Sequence, residues 1–97
     1  MDESKKKEFA ELSKALSHPH RLEIIKILSE LDGDKQCMVR SIVDQLPVSQ
    51  STVSQHLKIL KNSGWIKGII NGPRVCYCLR EGVFEKYIEY IKKLKEK

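Results

Sequence analysis

Asn71-Gly72-Pro73-Arg74 separates two short β-prone runs, Trp65 to Ile70 and Val75 to Leu79, in a chain whose other apolar residues recur at helical spacing. Asn-Gly between such runs is a strong hairpin signal, because both residues tolerate the positive φ that a tight reversal needs. The chain therefore reads as mainly α with a single two-stranded hairpin. Its 97 residues make one domain with a small core.

Helical periodicity fills the rest. Phe9, Leu12 and Leu16 form one stripe, which His18-Pro19 interrupts. Pro suits the first position of a new helix, where its missing N–H would have no partner. That second helix carries Leu22, Ile24, Ile25, Ile27, Leu28 and Leu31 around much of its circumference, so it is expected to be the most buried, and Asp32-Gly33-Asp34 ends it. A short third helix is expected over Met38 to Leu46, with Val39, Ile42, Val43 and Leu46 inward. Pro47-Val48-Ser49 is a turn, and Ser49 can cap a fourth helix that runs from Gln50 to Asn62-Ser63-Gly64. A last helix from about Glu81 places Val83, Phe84, Tyr87, Ile88, Ile91 and Leu94 on one side.

This order is a three-helix core with a helix-turn-helix (about 39–62) and a hairpin wing (about 65–80), all within one winged-helix domain over 1–97. The first and last helices keep apolar stripes with little core left to cover. A symmetric dimer through Phe9, Leu12 and Leu16 with Phe84, Tyr87, Ile88, Ile91 and Leu94 is the economical solution.

Charge points to a partner. The net charge is +5, from 18 basic and 13 acidic residues. Between Gln45 and Arg80 there is no Asp or Glu, yet Lys58, Lys61, Lys67, Arg74 and Arg80 lie there. The whole excess sits in that stretch, as expected of a surface that meets a polyanion. At about 100° per residue, Val53, Leu57 and Leu60 of the fourth helix face the core. Ser51, Gln55 and Lys58 fall opposite, with Ser54 at the flank. Short hydroxyls and amides reach base edges, and Gln reads adenine through two bonds. Gln50, Ser51, Ser54 and Gln55 are the expected base contacts, and the cap Ser49 is a further expected DNA contact; Thr52 and Lys58 are expected at phosphates, and Arg74 at the wing tip. His56 reads as a packing residue rather than a base contact, and Lys61 as a partner of the helix dipole.

Ala15-Leu-Ser-His-Pro-His-Arg-Leu-Glu-Ile-Ile, Ser49-Gln-Ser-Thr-Val-Ser-Gln-His-Leu-Lys-Ile-Leu, Gly64-Trp-Ile and Val75-Cys-Tyr-Cys-Leu together resemble the ArsR/SmtB (arsenical-resistance repressor) winged-helix family. The likeness covers nearly the whole chain, and the recognition-helix pattern is its most specific part. It implies a homodimeric repressor on a partly palindromic operator, released by an inducer in many members, with dimerisation through the first and last helices.

The inducer is not readable. The Cys-x-Cys pair of the family's thiolate sensors maps to Met38, Val39 and Arg40, with Cys37 one residue earlier, and Glu81 to Lys97 holds no His, Cys or Asp for the other metal set. Both well-known metal sites are therefore expected to be missing, and no cofactor is implied. Cys76 and Cys78 share one face of a strand, while Val75, Tyr77 and Leu79 take the core face. The two thiols are candidate redox or thiophile sensors, an incomplete metal set, or plain small strand residues. His18 and His20 form a conceivable two-His pair, read instead as a helix cap and a surface residue.

No apolar run is long enough to span a membrane. The N-terminus lacks the apolar core of a signal peptide, and three cysteines do not suit a disulfide framework, so a cytoplasmic location is expected. A winged helix can also serve as a protein-interaction module, but the Ser/Gln/Lys face does not fit one. No catalytic motif occurs.

Overall fold

The structure, a computed structural model, describes residues 1–30, 37–38, 42, 45–72 and 74–96. Its elements are α1 (Glu3–Ala15), α2 (Pro19–Ser29), β1 (Cys37–Met38), α3 (Gln50–Ser63), β2 (Ile66–Asn71), β3 (Arg74–Leu79) and α4 (Val83–Lys95).

The helix starts follow local chemistry. Asp2 accepts from the Lys5 N–H at 2.8 Å and caps α1. His18 caps α2 through Nδ1, which accepts from the His20 N–H at 3.0 Å, with Pro19 in the first turn. Ser49 caps α3 by accepting from the Thr52 N–H, and Gly64 closes it in the left-handed region at φ 101°. There the Trp65 N–H reaches back to the Leu60 carbonyl at 3.1 Å.

The hairpin closes at the expected turn, with Gly72 and not Asn71 taking the positive φ. Asn71 pairs with Arg74 across a two-residue connection in which Gly72 has φ 64°. The wing is not a bare hairpin, however. β1 pairs with the free edge of β3 (Cys37 opposite Tyr77, Met38 opposite Cys76), giving a three-stranded antiparallel sheet in the order β1-β3-β2. An edge strand presents unpaired backbone groups, and an extended segment passing beside it satisfies them. Met38 therefore belongs to a strand and does not begin the expected third helix. Most of that helix, with Val39 and Val43, lies outside the described residues. Ile42 and Leu46 are buried in the core as the spacing requires.

The core gathers Leu12, Ala15, Ile24, Ile25, Ile27, Leu28, Ile42, Leu46, Val53, Leu57, Leu60, Trp65, Ile66, Val83 and Tyr90. Leu22 of α2 is not part of it and stays half exposed. Tyr77 and Leu79 pack against the core, whereas Val75, near the wing tip, is exposed rather than inward.

Four carbonyls at the end of α1 have no partner within the helix, and the chain satisfies each. Trp65 Nε1 donates to Leu12 O at 2.8 Å. The N–H groups of Leu16 and Ser17 serve Ser13 and Lys14, and Arg21 Nε serves Ala15 at 2.6 Å. The end of α1 is thus fixed by α2 and by the entry to the wing.

This packing corrects one expected interface residue. Leu12 is 2% exposed and already covered within its own chain, so it offers nothing to a second copy. Phe9 and Leu16 are half-buried against the same core. The Phe9 ring stacks on Tyr90 (5.2 Å between centroids) and meets Tyr87 edge-on at 5.5 Å. Of the expected interface residues on α4, by contrast, Phe84, Ile88, Ile91 and Leu94 are exposed and only Tyr87 is turned inward, beside the buried Val83 and Tyr90. Among the described residues no helix is long and apolar enough to cross a membrane.

Candidate nucleic-acid interface

α3 is held by one side and open on the other. Val53, Leu57 and Leu60 are buried, as their 3.6-residue spacing requires, and His56 joins them. Ser51, Gln55 and Lys58 are exposed along the opposite side, with Ser54 exposed at its flank and Gln50 exposed in the first turn. Five of the eight expected DNA contacts thus lie exposed on one helix that the core keeps rigid. The rigidity matters, because a reading helix must hold its side chains in register with base edges.

The first turn of α3 is a small hydroxyl network. Ser49 Oγ lies 3.1 Å from Ser51 Oγ and 3.0 Å from Thr52 Oγ1. Thr52 is half-buried, and its hydroxyl shares this exposed network with Ser49. No acidic residue occupies the first turn, which leaves the positive end of the helix dipole uncompensated by side chains. Lys61 sits in the last turn, where the dipole favours a cation.

Lys58, Lys61, Lys67 and Arg80 are exposed. Arg74 is the first residue of β3, at the wing's turn; its side chain lies outside the described set. Cys76 and Cys78 are free and half-buried on β3, on the face opposite Tyr77. They are less outward than the strand alternation alone suggested.

His56 is buried, as a packing residue should be, and it meets two other histidines there. His18, at the start of α2, brings its ring centroid to 4.5 Å from that of His56, and the His20 ring lies 5.0 Å from His18 and 5.8 Å from His56. Arg21 Nη1 stands 3.4 Å from His56 Nδ1, too long for a strong hydrogen bond. Burial, and then the neighbouring His18, Arg21 and His20, hold the His56 imidazole below its ordinary range. The His-Pro-His spacing was visible in the sequence. Its meeting with His56 was not, because only the packing of α2 on α3 brings them together.

The fold and this helix have counterparts. The family model described as "Bacterial regulatory protein, arsR family" matches residues 18–67, which run from the cap of α2 through α3 into β2. The chain is 44% identical over 71 residues to the HTH-type transcriptional repressor SmtB of Mycobacterium tuberculosis, covering 73% of this chain and 50% of that protein. It therefore spans half the length of that relative. An HTH-type transcriptional regulator of Methanocaldococcus jannaschii is 34% identical over 85 residues, covering 88% of this chain and 92% of that one. Among solved structures, HlyU from Vibrio cholerae N16961 is similar with a TM-score of 0.74 and 28% identity, over 97% of each chain. The chain belongs to the arsR family of bacterial regulatory proteins.

Proposed function

We propose that this chain is a cytoplasmic transcriptional repressor that binds double-stranded DNA as a homodimer. The observation that carries the reading is the exposed row Gln50, Ser51, Ser54, Gln55 and Lys58 on a helix whose other face is locked into the core. This row lies in a stretch with no acidic residue. Gln50, Ser51, Ser54 and Gln55 read base edges; Ser49, Thr52, Lys58 and Arg74 meet the sugar-phosphate backbone.

The dimer supplies the second reading helix. Phe84, Ile88 and Ile91 are spaced four and three apart and exposed together on α4, with Leu94 continuing the stripe. Two copies joined there would present two α3 helices to successive major grooves, with half-sites about 34–36 Å apart. The mycobacterial relative named a transcriptional repressor supports the direction of control.

The test is selection of a preferred duplex from a random pool, followed by titration at several salt concentrations. A repressor of this kind retains one partly palindromic sequence, and log K falls linearly with log salt with a slope of about −0.9 per phosphate contacted. A chain that retains no duplex even in dilute salt is not a DNA-binding regulator.

A further inference from the structure

His18, His20 and His56 each offer one ring nitrogen within 4.8 Å of the others, across the junction of α2 and α3. His18 and His20 are half-buried, and His56 is 7% exposed. Among the described residues, His56 Nε2 is buried and has no hydrogen-bond partner. A buried imidazole nitrogen without a partner is costly unless something supplies one. From this geometry we infer that the three histidines form a binding site for a borderline divalent cation of the zinc class, which ties the start of α2 to the back of the recognition helix.

The donor set suits that class. Imidazole favours Zn(II), Ni(II) and Cu(II) over Mg(II) or Ca(II), which take oxygen ligands. Three imidazoles leave a fourth tetrahedral position for water. Zn–N bonds of about 2.0–2.1 Å put tetrahedral nitrogens about 3.4 Å apart. The nitrogens therefore have at most a little over one ångström to close, a distance within the reach of χ rotations.

Two existing contacts compete. His18 Nδ1 accepts the capping bond from the His20 N–H, so its proton sits on Nε2. Coordination through either nitrogen exchanges that cap for a metal bond. The Arg21 guanidinium faces His56 Nδ1 and opposes a cation. It is also held by Ala15 O at 2.6 Å and Ser17 Oγ at 3.5 Å, and binding requires its Nη1 to leave His56 Nδ1. Neither the Cys-x-Cys positions at Met38 to Arg40 nor the last helix contributes to this set.

The ion would join the cap of α2 to the helix proposed to read DNA. Metal and duplex affinities then become reciprocal. Only this last step rests on the DNA-binding reading.

The experiment is a Co(II) titration of tag-free, reduced protein, followed by displacement with Zn(II). The expected result is one Co(II) per chain with intense tetrahedral ligand-field bands, no sulfur-to-metal charge-transfer band, and bleaching by one equivalent of Zn(II). His20→Gln and His18→Asn, the latter able to keep the cap, each weaken Co(II) binding at least tenfold with unchanged circular dichroism. The triple variant Cys37→Ser, Cys76→Ser, Cys78→Ser keeps the bands. Absent bands, bands that survive both histidine changes, or bands lost with the cysteines overturn the site. Repeating the duplex titration with and without Zn(II) should shift affinity by about five- to 150-fold. An intact Co(II) site with unchanged duplex affinity overturns the coupling alone. Failure to hold duplex in either state counts against the DNA-binding reading and leaves the site standing.

Discussion

Trp65 donates its indole N–H to the Leu12 carbonyl at 2.8 Å, joining the residue that opens the wing to the last turn of α1. Both residues are almost wholly buried. The bond matters because Leu12 O is a helix-terminal acceptor that the Leu16 N–H passes over in favour of Ser13. Trp65→Phe keeps most of the packing and removes the donor. A buried carbonyl left without a partner costs about 1–3 kcal/mol. The expected outcome is a lower urea midpoint with an unchanged m value. A variant as stable as the parent would mean that another donor, or water, reaches Leu12.

Gln55 and Lys58 share the exposed face of α3 but are expected to fail differently. Gln55→Ala should relax preference at one base position per half-site by about 1–3 kcal/mol, since a bidentate amide contact carries sequence information. Lys58→Ala should weaken all duplexes alike and reduce the salt slope by about one per lost phosphate contact. Binding measured to a panel of single-base operator variants at two salt concentrations separates the two. A Gln55→Ala protein with unaltered sequence preference would move the reading face elsewhere on the helix.

The reading helix was legible because every signal for it is local. Ser49 as cap, Gly64 as stop and the 3.6-residue spacing of Val53, Leu57 and Leu60 need no knowledge of the rest of the chain. The hairpin was legible for the same reason, through Asn71-Gly72. What escaped depends on residues far apart in sequence. Cys37 and Met38 have no strand pattern of their own; they are extended because β3 offers an edge to pair with. Leu12 shows the limit of periodicity more sharply. A stripe says that a helix face is covered, but not whether its own chain or a second copy covers it. Within α1, Leu12 is covered by its own chain, Phe9 and Leu16 are only half-buried, and the stripe on α4 stays open. The convergence of His18, His20 and His56 is of the same kind, visible only once α2 lies against α3.

Ile88, half exposed in the middle of α4, tests that open stripe. Ile88→Glu puts a charge where the proposed dimer is driest, so an unpaired carboxylate would have to be desolvated for association. On the isolated chain the same change is a surface substitution, expected to alter stability by no more than about 0.5 kcal/mol. If the proposed dimer forms through this stripe, sedimentation equilibrium should show the parent as a dimer and the variant as a folded monomer, with duplex binding weakened through loss of the second half-site. A variant that stays dimeric would place the interface on another face.

Tyr90 and Glu8 give a pH test of the α1–α4 contact. The Tyr90 hydroxyl donates to Glu8 Oε1, and Lys86 Nζ lies 3.5 Å from the same carboxylate oxygen. The hydrogen bond, then burial and the Glu8 and Asp2 charges, push the Tyr90 phenol up from 10.0 to about 12. In the unfolded chain the phenol ionises near its ordinary value, so between the two values the folded state binds more protons. The contact's contribution is then fully present below pH 10.0 and lost as pH rises through about 12. Chemical denaturation at a series of alkaline pH values should show stability falling across that window. Tyr90→Phe should be less stable than the parent below it and fall more gently within it. Parallel curves for the two proteins would mean that the phenol keeps no tie to Glu8 in solution.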